Sequence, residues 1–377
     1  MTTADPLAAM GVGGAGPGES CSRNFSPGPA LLPKPVRERI EDHFASSPGG
    51  MSIVEISHRS PGYEEIHHRA LARCRALYWI PDDIEVLLLG GGASQQFAMV
   101  PMNLLRPGHS ADYIDTGSWS RKAEAEAARL GRKTRIAASS ADRGYSYIPE
   151  QGSLRLDAGA EYLHLTSNNT IAGTQYRGFP DSGEVPLAVD LTSDLLARPV
   201  AWERVGVAYG GTQKNAGIAG CTLVFLRRDL LSREEDSIPA IFRYSTHAGT
   251  DSLYNTPPVF AVFVLDLVLG WLEDSGGLEA VGKRNESKAR ILYEVIDGHP
   301  AYRGLAETAS RSAMNVTFDL ADPQLRSRFA AAAQQQGFVG LQGHRSVGGL
   351  RASLYNGMTE DGCLALADFM RDFAAGL

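Results

Sequence analysis

Lys214 stands in a glycine-rich turn, AYGGTQKNAGIAG (from Ala208), and an apolar run, Cys221 to Leu226, follows it. Lysine is a poor residue for a tight turn unless its amine has a chemical task. A buried or crowded amine loses its proton easily and becomes a nucleophile that condenses with an aldehyde. Upstream, Asp190 closes a second apolar run, PLAVD. A carboxylate at a strand end can hold a ring nitrogen in its charged form. An imine-forming lysine and a nitrogen-facing aspartate are what a protein must supply to make pyridoxal phosphate an electron sink. A single lysine in isolation reads better as a solvated loop residue; the surrounding residues change that balance.

The elements that must position these groups repeat one pattern. VLLLGGGAS (from Val86) is a buried strand entering a glycine turn, and QQFAMVPMNLL continues as a helix. That arrangement presents backbone N–H groups to a phosphate at a positive helix end, although a plain strand-to-helix turn looks the same. It is not a P-loop, because no Gly-Lys-Ser/Thr follows. ADYIDTGSWSRKAEAEAARLG (from Ala111) is again strand, turn and helix, with Trp119 at the helix start. Trp119 serves there as a packing anchor or as a flat face for an aromatic ring. EYLHLTSNNT ends in a polar turn at Thr170. The alternation indicates an α/β fold with a mostly parallel sheet, whose ligands collect at the carboxyl ends of the strands. Ser94, Trp119, Thr170, Asp190 and Lys214 all fall at such ends. Their convergence is the argument for one site.

Several separated stretches share a further likeness. NFSPGPALLPKPV (from Asn24), MSIVEISHRSPGY (from Met51), GGASQQFAMVPMNLL (from Gly91), ADYIDTGSWS, SNNTIAGTQY (from Ser167), the Lys214 segment, SLYNTPP (from Ser252) and GHRSVGGLRASLYN (from Gly343) resemble segments of the phosphoserine aminotransferases, in that family's order. These are fold-type I enzymes that use pyridoxal 5'-phosphate. The resemblance implies that Lys214 holds the cofactor and acts as general base and acid, and that Asp190 pairs with the pyridinium nitrogen. It implies that Trp119 stacks on the ring, that Thr170 faces its 3-oxygen side, and that Ala93, Ser94 and Gln213 bind the cofactor phosphate. Asn255 and Thr256 would reach that phosphate from a neighbouring subunit, which makes the protein a homodimer with shared sites. Arg351 would hold the substrate α-carboxylate, and His58, Arg59, His344 and Arg345 would line the pocket for the phosphate and side-chain carboxylate. From the residues alone, His58 and Arg59 are an exposed corner or an anion-binding pair, and His344 and Arg345 could serve as interdomain salt bridges.

The activity implied is amino transfer from L-glutamate to 3-phosphohydroxypyruvate, giving O-phospho-L-serine and 2-oxoglutarate by ping-pong kinetics. A relative acting on another phosphorylated or phosphonate keto acid, such as the 4-phosphohydroxythreonine reaction of vitamin B6 synthesis, is the alternative. A non-catalytic binding protein is a third reading, and the intact Lys214, Asp190 and Trp119 argue against it. Ile218, the Phe242-Arg243-Tyr244 stretch and Gln95-Gln96 depart from the usual family pattern. None removes a catalytic group; they bear on which substrate is used.

At 377 residues the chain suits two domains. We expect residues 1–23 as a disordered Gly/Ala-rich tail, 24–274 as a large cofactor-binding α/β domain whose first residues pack on the second, and 275–377 as a small α+β domain. The net charge of −7 argues against nucleic-acid or membrane-surface partners and leaves small anionic substrates open, since local arginines outweigh it. The four cysteines show no metal or redox spacing, so no metal is expected, and free thiols suit the cytoplasm. The longest apolar run, Val259 to Leu272, contains Asp266 and reads as a buried helix. Leu278 to Ile296 reads as a long connecting helix, and SAMNVTFDL as a strand with alternating inward residues.

Overall fold

The computed structural model describes residues 23–45 and 50–377. The expected tail up to residue 22 and Cys21 lie outside them. Three β-strands open the main sheet: β1 (Ile84–Gly90), β2 (Ser110–Asp115) and β3 (Lys133–Ser139). β4 (Leu163–Thr166) follows, then a two-stranded ribbon, β5 (Asn168–Asn169) and β6 (Thr174–Gln175), then β7 (Leu187–Asp190), β8 (Val205–Gly211) and β9 (Cys221–Arg227). The seven-stranded sheet has the order β1-β9-β8-β7-β4-β2-β3. β2, β3, β4, β7 and β8 pair in parallel, and β9 runs antiparallel between β8 and β1. The expected mostly parallel sheet is therefore present, and its carboxyl edge is shared by β1, β2, β4, β7 and β8.

Helices α1 (Lys34–Ala45), α2 (Pro61–Tyr78), α3 (Ala93–Leu104) and α4 (Ser118–Arg129) precede β3. The short α5 (Tyr244–Ala248) and the apolar α6 (Val259–Asp274) come after β9. α2 starts as its sequence requires: Ser60 caps the Tyr63 N–H and Pro61 occupies the first turn. Asp266, the charge inside the apolar run, is buried in α6. Arg69 and Arg73, one turn apart on α2, converge on it, with Arg69 Nη2 and Arg73 Nη1 each 2.7 Å from a carboxylate oxygen. Burying a carboxylate without such partners costs several kcal/mol, so the pair fixes the register of α2 on α6.

α7 (Gly277–Gly298) leads to β10 (Tyr302–Gly304), β11 (Asn315–Leu320), α8 (Arg326–Gln335), β12 (Leu350–Ser353) and α9 (Glu360–Ala375). β10, β11 and β12 form a separate antiparallel sheet. β11 has the expected alternation, with Val316, Phe318 and Leu320 entering the second core. The residues between them are buried as well, because Asn315 and Thr317 on the polar face hydrogen-bond across to the main sheet's loops.

Two cores meet at α7. Leu278 and Val281 belong to the core under the main sheet, while Ala289, Leu292, Val295 and Ile296 belong to that of the small sheet. Phe25 also packs in the second core, and its backbone bridges Val339 and Ser353. The Lys288 amine of α7 is buried and donates to the carbonyls of Leu354, Tyr355 and Met358 at 2.8, 2.9 and 3.1 Å. It ties the chain after β12 to α7. Lys288→Met is expected to lower the unfolding free energy by about 3 kcal/mol, because three buried carbonyls lose their donor. Urea denaturation of wild type and variant measures this.

Candidate active site

Lys214 occupies the turn between β8 and β9, where the chain reverses into the antiparallel strand. Its Nζ donates to Thr170 Oγ1 at 2.8 Å and lies 5.9 Å from the centre of the Trp119 ring. The lysine stem passes under Gly28, which has φ +126° and where a Cβ would sit 3.1 Å from Lys214 Cγ. Only glycine suits both that backbone and that gap. Ala30 N donates to the Gln213 carbonyl at 2.9 Å, closing the N-terminal segment over the turn.

Asp190 ends β7 and is buried. Its Oδ1 accepts from the Thr192 backbone N–H at 2.9 Å and the Thr192 hydroxyl at 2.6 Å. Among the described residues Oδ2 has no hydrogen-bond donor, so half of the carboxylate is left for a ligand. Burial pushes its pKa above the ordinary carboxylate range, against the lowering effect of Thr192 and the Lys214 charge. A cationic N–H presented to Oδ2 would restore the charged form.

One cavity of about 150 Å³ joins these groups. It is lined by Ala93, Ser94, Trp119, Thr170, Asp190, Gln213 and Lys214, with Gly92, Phe97, Thr166, Asn168, Thr192 and Ser193. α3 begins at its wall, and its N-cap, Gly92, supplies no side-chain cap. The first-turn N–H groups therefore have no capping side chain, which is the condition for an anion at a helix start. Seven of the expected site residues thus share one cavity.

Arg351, on β12, reaches the same region from the small sheet. It is 5% exposed, and its Nη1 donates to the Thr170 carbonyl at 3.0 Å. Thr170 is thus in contact with both Lys214 and Arg351. Among the described residues no carboxylate lies within 4.0 Å of the Arg351 guanidinium, its Nε has no partner, and burial lowers its pKa. His344, half-buried, and Arg345, exposed, lie in the turn before β12. Burial lowers the His344 pKa, and the charges of Arg351, Arg345 and Lys122 lower it further. Among the described residues neither His344 nor Arg345 has an ion-pair partner, so the salt-bridge alternative finds no acid here.

Seven expected residues do not line the cavity: Arg351, His344 and Arg345, described above, and four more. His58 and Arg59 sit just ahead of α2, half-buried and exposed, and Asn255 and Thr256 are exposed in the loop before α6. Thr166, Asn168, Thr192 and Ser193 were not anticipated. The Asp-Leu-Thr spacing at 190–192 is a local signal for a side chain that bonds its own backbone two residues on. Asn168 offered none: it bonds Ser193 Oγ and Asn315 Oδ1, each at 2.7 Å, and the second lies across the two sheets.

The departures from the family pattern are taken up locally. Arg243 Nε donates to the Ile238 carbonyl at 2.8 Å and its guanidinium pairs with Asp236 at 3.6 Å. Gln96 is buried and accepts from the Tyr244 hydroxyl at 2.7 Å. Ile218 packs against the core under the main sheet.

The family model for aminotransferase class V matches residues 23–366. The chain belongs to the class-V aminotransferase family. Within it, the chain is similar to a phosphoserine aminotransferase of Alkalihalobacillus alcalophilus, at 49% identity over 93% of this chain and 97% of that one. It is 48% identical to the phosphoserine aminotransferase of Bacillus subtilis (strain 168) over the same shares. The solved phosphoserine aminotransferase of Bacillus circulans subsp. alkalophilus superposes with a TM-score of 0.91, at 47% identity, over 93% of this chain and 98% of that one. A phosphoserine aminotransferase from Trichomonas vaginalis, solved with pyridoxal phosphate bound, gives a TM-score of 0.87 at 34% identity, over 93% and 99%.

Gly28→Ala in this class-V aminotransferase is expected to lower stability by roughly 1–2 kcal/mol, because a Cβ is forced into a left-handed backbone against the Lys214 stem. Thermal unfolding of the cofactor-free protein gives the stability change.

Proposed function

We propose that this chain catalyses amino transfer from L-glutamate to 3-phosphohydroxypyruvate, forming O-phospho-L-serine and 2-oxoglutarate, with pyridoxal 5'-phosphate as cofactor. The observation that carries this reading is Arg351. A buried guanidinium with no acid in reach among the described residues, bonded to the residue that holds Lys214, needs an anion, and an α-carboxylate supplies one in bidentate geometry. The near-half identity to phosphoserine aminotransferases supports the phosphorylated acceptor.

The residues present fit the cofactor. Lys214 Nζ would be its covalent tether, Asp190 Oδ2 the acceptor for its ring nitrogen, and Trp119 the face against its ring. Thr170 would stand on its 3-oxygen side. The α3 start at Ala93 and Ser94, with Gln213, would hold its phosphate. When bound, pyridoxal phosphate supplies an electron sink for negative charge at the substrate α-carbon. Asp190 supports that role by keeping a proton on the ring nitrogen, and Thr192 holds the carboxylate at the angle this needs. Arg351 orients the substrate by its α-carboxylate. Lys214 Nζ, already beside Thr170, would take the α-proton of the amino donor as general base and, as general acid, give it up on the cofactor side rather than back to the α-carbon. His344 and Arg345 bind the second anionic group, and His58 and Arg59 complete that pocket.

Asn255 and Thr256 are exposed and do not line their own cavity, which supports a homodimer in which each copy completes the other's phosphate site. The residue division 24–274 and 275–377 accords with the two cores that meet at α7. A place in cytoplasmic serine biosynthesis accords with the free, buried Cys74, Cys221 and Cys363. Among the described residues no helix is long and apolar enough to cross a membrane, and no group of His, Cys, Asp and Glu is arranged to hold a metal.

Two measurements test the reading. Holoenzyme mixed with L-glutamate is expected to lose the visible absorbance of its cofactor, and 3-phosphohydroxypyruvate to bring it back. Loss without return points to another keto acid, and no loss refutes amino transfer. Lys214→Ala is expected to abolish both changes while still binding the cofactor non-covalently. Arg351→Lys is expected to raise KM for both substrates by roughly tenfold or more, because a point charge cannot replace a bidentate fork. Steady-state kinetics with an unchanged KM would remove Arg351 from carboxylate binding.

A further inference from the structure

The turn that carries Asn255 and Thr256 is held from behind by a histidine that the chemistry above does not use. His67 is fully buried on α2. Its Nε2 lies 2.7 Å from the Asp251 carbonyl. A carbonyl only accepts, so Nε2 carries the proton and Nδ1 accepts from the Tyr63 hydroxyl at 3.3 Å. Both ring nitrogens are thereby engaged with the ring neutral, and burial lowers its pKa below the usual imidazole range.

The backbone that His67 grips is strained. Asp251 has φ 48° and Ser252 φ 65°, left-handed values that side-chain-bearing residues rarely adopt. Ser252 is fastened as well. Its Oγ accepts from the Leu88 N–H at 2.9 Å on the outer edge of β1, and its own N–H donates to the His247 carbonyl at 2.8 Å. Beyond this anchor the chain turns outward. Tyr254 is 48% exposed, Asn255 and Thr256 are exposed, and Asn255 Nδ2 bonds locally, to the Thr256 carbonyl at 3.2 Å. The chain then returns beside Gly90, where a Cβ would lie 4.0 Å from Pro258 Cδ. An exposed polar tip stands on a base whose unusual conformation is fixed from the interior.

We propose that His67 is a positioning residue for cofactor-phosphate binding, holding the 251–252 backbone in the conformation that aims Asn255 and Thr256 at the phosphate bound by a second copy. The inference rests on the shared-site reading above. The Tyr63–His67–Asp251 chain of hydrogen bonds is the device, and Ser252 on the β1 edge is its second fastening.

The test compares two ligands that differ only in the phosphate. Apo protein is titrated with pyridoxal phosphate and with phosphate-free pyridoxal, for wild type, His67→Ala, His67→Gln and Thr256→Ala. The expected result is that His67→Ala weakens pyridoxal phosphate binding about tenfold, the worth of one lost hydrogen bond, and leaves pyridoxal binding unchanged. His67→Gln, which keeps an amide N–H near the Nε2 position, is expected to restore most of that loss. If His67→Ala weakens both ligands equally, or neither, while Thr256→Ala weakens only the phosphorylated one, His67 has no positioning role and the inference is overturned. If Thr256→Ala also shows no phosphate-dependent loss, the shared-site reading fails and the inference falls with it.

Discussion

The position of one amine governs most of this structure. Lys214 Nζ lies beside Thr170 and over the Trp119 ring, and three separate features put it there. The reversal from β8 into the antiparallel β9 lifts the lysine out of the sheet. Gly28 leaves room for its stem. Thr170 Oγ1 accepts a hydrogen bond from it. A side chain with four rotatable bonds loses considerable freedom when held this way.

Around the amine, polar groups link the two cores. Asn168 bonds Ser193 and Asn315, Asn315 Nδ2 bonds Ser353 Oγ at 3.0 Å, and the Tyr355 hydroxyl donates to the Pro27 carbonyl at 2.9 Å. Buried networks of this kind are costly when incomplete and specific when complete. Here the network places Arg351, which belongs to the small sheet, against Thr170, which belongs to the loops of the large one. The two halves of the site are therefore aligned by hydrogen bonds whose partners are far apart in sequence.

That separation explains what the sequence made legible. Lys214, Asp190, Trp119, Thr170 and the Gly92–Ser94 turn were readable because each ends a strand or starts a helix, and a parallel sheet gathers such ends at one edge. The connecting helix at Leu278 to Ile296 and the buried helix at Val259 to Leu272 were readable as well. Asn168 and Ser193 were not, because a polar side chain in a turn looks solvated until its distant partner is known. The period-two pattern of β11 was legible, but the burial of its polar face was not, because the loops that cover that face belong to the other sheet. Asp266, conspicuous inside an apolar run, made sense only once Arg69 and Arg73 were seen across from it.

The long helix α7 enters both cores, with Leu278 and Val281 anchored at one end and Leu292 and Val295 at the other. At 22 residues it is about 33 Å of continuous backbone, with no loop where it crosses between them. A joint built this way does not swing like a door on a pin. Relative motion of the two halves has to be distributed as sliding of packed side chains along a stiff rod, small in amplitude.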